Sequence, residues 1–150
     1  MLALAGFVAL CLLVAVADGV LTVPNIKPWY RLLLHPPLTP PDWVFGPVWT
    51  TLYLMMALAA WRVWLQPWHN QALSVWGWQL AFNAAWTPVF FAGHLPGPAL
   101  AVILGLDAMI VLTIRRFRPI DPLAAWLMVP YLGWALFATY LNAGFWWLNR

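Results

Sequence analysis

Charged side chains are scarce in this sequence of 150 residues. Asp, Glu, Lys and Arg make up only 7% of it, as four acidic and seven basic residues, which gives a formal net charge of +3. With 65% hydrophobic residues and a mean hydropathy of +0.81, the composition excludes an ordinary soluble domain. The basic residues lie at the ends of apolar segments and form no basic face, so we expect no nucleic-acid partner.

Residue types that carry common chemistry are also few. Cys11 is the single cysteine, so no intrachain disulfide can form. Ser74 is the only serine, and the sequence shows no Ser-His-Asp arrangement. His35, His69 and His94 fall in or near three different connectors, which argues against a cluster at metal-ligand spacing. We therefore expect no bound metal and no covalent cofactor, and these residues assign no catalytic side chain.

Long apolar segments fill most of the chain. A bilayer core about 30 Å thick needs roughly 20 mostly apolar residues per helix. Five segments meet this requirement, at about residues 1–23, 43–65, 71–92, 96–114 and 122–148. Very short connectors after the second, third and fourth segments require antiparallel neighbours. The sequence predicts an all-α fold: residues 1–150 form a single integral membrane domain, a bundle of five transmembrane helices.

The first connector, residues 24–42, is longer than the other three and rich in proline. A long connector beside a tightly connected bundle is a candidate lid. A simple excursion over the surface is the alternative interpretation.

Tryptophan is unusually abundant, with 13 residues. Membrane proteins concentrate this residue at the two water interfaces, but Trp49, Trp86 and Trp134 lie well inside apolar segments. An indole N–H at that depth needs protein or a cavity as its partner, because lipid offers no acceptor. Several such indoles indicate an aromatic-lined pocket for a large flat ligand.

Three predicted helices carry residues at a spacing of four, which places neighbours in the series on one helix face. These stripes comprise Phe45, Trp49 and Tyr53; Phe82, Trp86 and Phe90, beside polar Gln79, Asn83 and Thr87; and Trp126, Pro130, Trp134, Ala138 and Asn142. Flat aromatics combined with a few polar atoms suit a rigid conjugated ligand. Helix packing explains any single stripe, but three stripes on separate helices favour a cavity.

Two acidic residues lie inside the predicted membrane helices. Carboxylates within membrane helices are costly and are functional candidates, so Asp18 and Asp107 stand out. For Asp107 we favour a structural hydrogen bond over a role in proton-coupled transport, because transporters usually need more helices or internal repeats.

Gly77, Ala81 and Ala85 form a small face on the third helix, suited either to a homodimer interface or to an internal contact.

Three runs of the sequence resemble the signatures of one family. They read PPDWVFGPVWTTLY at residues 40–53, QLAFNAAWTPVFF at residues 79–91 and PYLGWALFATYLN at residues 130–142. They are similar to helices two, three and five of the translocator protein family, the tryptophan-rich sensory proteins, also called peripheral-type benzodiazepine receptors. Trp29 and Tyr30 fit as well, and the resemblance covers nearly the whole chain in order.

The resemblance implies a five-helix bundle, commonly dimeric, with a ligand cavity closed by the first loop. The family binds porphyrins such as protoporphyrin IX and benzodiazepine-type drugs, and some bacterial members are reported to degrade porphyrin in light. Trp49 and Trp134 match the two tryptophans tied to that degradation and are the only catalytic candidates. With the stripes, the predicted ligand-binding set is Tyr30, Phe45, Trp49, Tyr53, Asn83, Trp86, Phe90, Trp134 and Ala138.

Two departures from the family are informative. No basic residue follows Tyr140 before Arg150, so the animal sterol motif is not supported. Asp18 matches no family residue at its position. If it is charged and faces the pocket, it repels carboxylated porphyrins; if it is buried in lipid, we expect it to be protonated.

The functional prediction is a membrane-embedded binding and sensing protein for porphyrins and other flat hydrophobic ligands, with a role in regulating tetrapyrrole levels. The alternatives are a light- and oxygen-dependent porphyrin-degrading enzyme, or a transporter of porphyrin or another amphiphile. The expected partners are membrane lipid, a porphyrin or drug-like hydrophobic ligand, and a second copy of the chain. The expected location is a bacterial cell envelope, as a multi-pass protein.

Overall fold

The computed structural model describes residues 2–150, which form five helices and no strand. The helices are α1 (Leu2–Ile26), α2 (Asp42–Trp64), α3 (Asn70–Thr87), α4 (Pro96–Phe117) and α5 (Pro122–Leu148). A π-helical turn, Pro88–Ala92, follows α3 directly, and the first connector holds a short 3-10 turn, Tyr30–Leu32. The predicted all-α class is confirmed.

Four of the five helices, α1, α2, α4 and α5, are long and apolar enough to cross a membrane by themselves. The exception is α3, whose 18 residues include Gln71, Ser74, Gln79 and Asn83. These polar side chains lower its hydropathy, and two of them, Gln79 and Asn83, are buried inside the bundle. With the five residues of the π turn, the continuous helix reaches the length of a membrane crossing at about 1.5 Å per residue.

The helices follow one another around the bundle in the order α1, α2, α5, α4, α3, and α3 with its π turn closes the ring against α1. The first connector therefore lies at the end of the bundle that gathers the C-terminal ends of α1, α3 and α5. The N-terminal ends of α2 and α4 lie at the same end. We call this the loop side.

Two helix ends differ from the predicted bounds. The first helix continues through Pro24 to Ile26 instead of ending at residue 23. A proline in the last turn removes only one N–H donor, and Asn25 Nδ2 donates to Leu21 O at 2.8 Å in the same turn. The fourth helix passes Arg115 and ends at Phe117; basic side chains in a last turn are favourable beside the negative end of the helix dipole.

The main hydrophobic core lies in the half of the bundle away from the loop side. It is built on fully buried side chains such as Met56, Val63, Ile110, Phe117 and Met128. A smaller cluster on the loop side contains Tyr30, Phe90, Ala99, Leu141 and Phe145. The open space of the molecule lies between these two clusters.

The small-residue face of α3 points away from the bundle. Ala81 and Ala85 are exposed, and a Cβ atom added to Gly77 meets no atom within 4 Å. The close internal contact considered from the sequence is therefore not formed. A homodimer interface on this face stays a prediction.

Candidate ligand-binding cavity

A cavity of about 390 Å³ occupies the loop-side half of the bundle. Its volume lies in the range of about 300–1,000 Å³ that is usual for small-molecule sites. All the residues of the predicted ligand-binding set line it: Tyr30, Phe45, Trp49, Tyr53, Asn83, Trp86, Phe90, Trp134 and Ala138. The structure thus brings the whole set together around one space, while their contact with a ligand stays a prediction.

The walls come from α1, α2, α3 with its π turn, and α5; within residues 2–150, no α4 side chain lines the cavity. The contribution of α1 was not predicted, because the aromatic stripes pointed only to the second, third and fifth helices. Its lining residues are Ala15, Asp18, Gly19, Thr22, Val23 and Ile26. The spacing of four between Asp18 and Thr22, in an otherwise apolar helix, is the sequence signal that indicates this wall.

The polar end of the cavity joins four helices through hydrogen bonds. The Tyr53 hydroxyl lies 2.6 Å from Asp18 Oδ2 and 2.7 Å from Asn83 Oδ1. Asn83 Nδ2 lies 2.6 Å from the Tyr131 hydroxyl. Asp18 belongs to α1, Tyr53 to α2, Asn83 to α3 and Tyr131 to α5. We call these residues the polar quartet; Tyr131 is fully buried behind the other three.

The polar quartet has a consistent proton arrangement for each charge state of Asp18. A phenol carries one proton, so Tyr53 can donate to only one of its two neighbours. When Asp18 is protonated, the carboxyl donates to Tyr53, Tyr53 donates to Asn83 Oδ1, and Asn83 Nδ2 donates to Tyr131. When Asp18 is ionised, Tyr53 donates to it, and a half-turn of the Asn83 amide reverses the remaining bonds. Each hydrogen bond of the polar quartet therefore has one donor and one acceptor in both charge states of Asp18.

Aromatic rings form the walls between the polar quartet and the loop side. Trp86 stacks on Phe90 with ring centroids 5.1 Å apart, and Phe45 meets Trp134 edge-on at 6.0 Å. Trp86 Nε1 donates to Asn142 Oδ1 at 2.8 Å, so this indole has the protein partner that its depth requires. Asn142 Nδ2 in turn donates to Pro96 O at 2.6 Å. Hydrogen bonds to α4 and α5 therefore fix the plane of this wall.

The α5 stripe does not keep to one face of its helix. Trp134, Ala138 and Asn142 line the cavity, but Trp126 is 69% exposed and Pro130 is exposed as well. A spacing of four overshoots the 3.6-residue turn, so each step rotates the side chain by about 40°. Over the length of the stripe this drift carries its first two members out to the surface.

The first connector lies over the loop side of the cavity. Tyr30 packs with its ring 5.2 Å from that of Phe145. Leu34 N donates to Asn149 Oδ1 at 2.8 Å, and Asn149 Nδ2 donates to Leu34 O at 3.0 Å. The Tyr140 hydroxyl donates to Pro37 O at 3.0 Å. The connector is therefore fastened to α5 in the position of a lid.

The cavity border carries one ion pair. Arg31 donates to Asp42 Oδ2 from Nε at 3.0 Å and from Nη2 at 2.6 Å. This pair joins the connector to the first turn of α2. Burial, with a smaller contribution from the negative charge of Asp42, raises the pKa of Tyr30 to about 12.

Asp107 does not reach the cavity. It is buried, and its Oδ2 accepts a hydrogen bond from Thr139 Oγ1 at 2.7 Å. The contact joins α4 to α5, which agrees with the structural role favoured from the sequence. Transport of porphyrin or another amphiphile stays an alternative prediction.

The bundle and its contents define a multi-pass membrane protein built around an aromatic-lined cavity with a polar end. The TspO/MBR family model matches residues 7–148, and the chain belongs to this family. It is 45% identical to a tryptophan-rich sensory protein of Cereibacter sphaeroides over 119 residues, which cover 78% of this chain and 75% of that one. It is 40% identical to the Homo sapiens translocator protein over 123 residues, covering 79% and 73% of the two chains.

A third relative extends the match over almost the whole chain. The tryptophan-rich protein TspO of Chlorobaculum tepidum is 38% identical over 145 residues, which cover 94% of this chain and 92% of that protein. The family resemblance stated from the sequence is confirmed.

Proposed function

We propose that this protein binds porphyrins, with protoporphyrin IX as the reference ligand, together with other flat hydrophobic molecules, and that occupancy of the cavity senses tetrapyrrole levels. One observation carries the proposal: the aromatic residues of the predicted ligand-binding set that lie on α2, α3 and α5 all line one space beside a single polar end. Large conjugated rings gain from such walls by burying apolar area and by offset stacking. A bacterial cell envelope is the proposed location.

The relatives support this proposal through their names. Two bacterial relatives are named tryptophan-rich sensory protein and tryptophan-rich protein TspO, and the animal relatives are named translocator protein. A sensor needs a site whose occupancy changes the molecule. A connector fastened over the cavity by a few hydrogen bonds and one ion pair is suited to such a change.

The test is a titration of the purified protein with protoporphyrin IX in nonionic detergent, in the dark. Binding is followed by porphyrin absorbance as well as by tryptophan quenching, because the variants remove tryptophans. Trp49→Phe and Trp134→Phe take rings from the cavity wall, and we expect each to weaken binding by about tenfold, the loss of one large stacking contact. Trp126→Phe is the matched control, because Trp126 lies on the same helix as Trp134 but faces outward.

Two outcomes oppose the proposal. Quenching that does not saturate shows that porphyrin merely partitions into the micelle. Saturable binding that is equal in all four proteins places the porphyrin elsewhere, and the aromatic walls then serve helix packing.

The enzyme alternative has one observation in its favour: Trp49 and Trp134, the candidate electron donors, line the same cavity. In this alternative light excites a bound porphyrin and oxygen serves as the oxidant. Illumination in air is expected to yield a porphyrin breakdown product. Product formation that disappears in Trp134→Phe, while dark binding persists, favours catalysis. Equal product from the variant and the wild type removes the enzyme alternative.

We also propose that two copies of the chain pair through the exposed small-residue face of α3. Trp78, on the same helix, is 61% exposed, and small residues allow close helix approach in lipid. Ala81→Phe is expected to shift the protein from dimer to monomer in light scattering with detergent correction. A mass that does not change with this variant opposes an interface on α3.

A further inference from the structure

The lining of the cavity is unbalanced in charge. Asp18 and Asp42 both line it, and among residues 2–150 no Lys, Arg or His does. Asp42 is compensated at the border of the cavity by Arg31, at 2.6 Å. Asp18 lies on α1 eight positions before its last residue, Ile26, which places it about 12 Å along the helix from the loop side. The deep end therefore holds an acid without a cationic partner.

The Asp18 carboxyl retains capacity to accept hydrogen bonds. A carboxylate accepts about four hydrogen bonds. One protein hydroxyl bonds to this carboxyl: the Tyr53 oxygen lies 2.6 Å from Oδ2. Asp18 is only half-buried and borders the cavity. When Asp18 is protonated, its carboxyl proton is donated to Tyr53. The carboxyl can therefore only accept a hydrogen bond from a ligand, whether it is protonated or ionised.

A ligand group at this depth meets an electrostatic filter. An ammonium or a ring N–H supplies the donor that the carboxyl lacks. When Asp18 is ionised, a ligand carboxylate brings a second negative charge into a region of low dielectric, where charge–charge interactions are much stronger than in water. Aromatic walls alone do not discriminate between these ligands, because stacking depends on area and shape.

From this placement we infer that Asp18 is a specificity-determining residue: the cavity accepts flat aromatic ligands that present a cationic or N–H nitrogen at the polar quartet, and it rejects ligands that place a carboxylate there. The inference refines the proposed function and rests on ligand binding in this cavity. A carboxylated porphyrin then enters with its carboxylates towards the loop side, where Arg31 lies.

The experiment uses two probes with the same tricyclic ring, an aminoacridine cation and an acridine carboxylate. Their dissociation constants are measured for the full-length protein in nonionic detergent at neutral pH. The wild type is expected to bind the cation at least about tenfold more tightly than the anion, as an unpaired acid in a site of low dielectric requires. Asp18→Asn keeps the size and an acceptor oxygen but removes the charge, and it is expected to bring the ratio to within about twofold.

Asp107→Asn is the matched control, because it makes the same chemical change at a buried acid outside the cavity. Its cation-to-anion ratio is expected to equal that of the wild type. Tyr53→Phe provides a second variant that keeps the acid but removes its hydroxyl partner, and its preference for the cation is expected to be at least as large. Size-exclusion profiles and melting temperatures establish that each variant is folded.

The outcomes separate this inference from the porphyrin proposal. A wild-type protein without cation preference, or a preference that survives in Asp18→Asn, overturns the role of Asp18, whatever protoporphyrin IX does. A preference that also falls in Asp107→Asn overturns it, because a general loss of charge then explains the effect. Cation selection that depends on Asp18, in a protein that does not bind protoporphyrin IX saturably, supports the inference and refutes the porphyrin function.

Discussion

Gly144→Ala tests whether the connector is held over the cavity as a lid. A Cβ atom at Gly144 falls 2.5 Å from Pro36 Cβ and 2.9 Å from Pro36 Cγ. Carbon atoms pack at about 3.5 Å or more, so Pro36 must move by about 1 Å. Pro36 is buried against α5, and moving it lifts the part of the connector that carries the fastening hydrogen bonds.

The size of the effect follows from the contacts that oppose it. Overpacking of this kind costs about 1–3 kcal/mol. Three hydrogen bonds join the connector to α5 and to the residue after its end, two between Leu34 and Asn149 and one between Tyr140 and Pro37. Each contributes about 0.5–1.5 kcal/mol. The cost of overpacking and the summed contribution of the three hydrogen bonds are therefore of similar size. We therefore expect the open form of the connector to rise by about tenfold, which corresponds to about 1.4 kcal/mol.

Two measurements report on this opening. Hydrogen exchange at the Leu34 amide, which is bonded to Asn149 in the closed form, is expected to accelerate by about tenfold. Release of bound porphyrin in a stopped-flow competition experiment is expected to accelerate in proportion if the connector gates the site. The binding walls of α2 and α3 are unchanged, so the variant does not alter their stacking contacts.

Gly133→Ala is the matched control. It lies on the same helix, and a Cβ atom there meets nothing within 4 Å. Both variants gain the same helix propensity, up to about 1 kcal/mol, so their difference isolates the contact with Pro36. If the two alanine variants exchange and release ligand at the same rates, the Gly144–Pro36 contact does not hold the connector, and the reasoning fails.

Three further predictions concern the walls and the border of the cavity. Asn142→Leu leaves the Trp86 N–H without its acceptor, and a fall of about 1–3 kcal/mol in unfolding free energy is expected from denaturant titration. Arg31→Gln leaves Asp42 unpaired at the border, so protoporphyrin IX is expected to bind several-fold more weakly while its dimethyl ester does not change. The raised pKa of Tyr30 predicts that docking of the connector weakens as the pH rises from about 10 to 12, because only the undocked phenol ionises there; Tyr30→Phe is expected to remove this dependence in exchange rates.

The sequence predicts this cavity well where its residues are both periodic and distinctive. The sequence indicates Trp49, Trp86 and Trp134 because an indole N–H in the middle of a membrane segment needs a partner in the protein or a cavity. Each of these three residues lines the cavity. The α5 stripe drifts around its helix, so its spacing alone does not predict which of its members line the cavity. A spacing of four predicts which residues are neighbours on one helix face. Over several turns, the 3.6-residue helical repeat determines which residues of the stripe still face the cavity.

The α1 wall escaped prediction for a physical reason. Apart from Asp18, Thr22 and Asn25 this helix is apolar around its circumference, so hydrophobic periodicity gives it no preferred face, and in the structure only Cys11 of this helix is buried. Its position depends on the contacts that α2 and the π turn offer it, which are tertiary and leave no hydrophobic periodicity, so that only the spacing of Asp18 and Thr22 indicates the wall. The helix end at Ile26 was missed because a proline in the last turn removes only one N–H donor and does not end the helix.

The division of roles between the helices has a consequence for how ligand preference changes. The α2 and α5 helices carry most of the buried core, so substitutions there alter stability along with the site. Asp18 lies on the helix with the least burial, and its links to the core pass through one hydroxyl of the polar quartet. An amide at the same position still accepts from Tyr53. Ligand charge preference can therefore change through α1 while the aromatic walls and the core stay intact, and we expect Asp18→Asn to melt within a few degrees of the wild type.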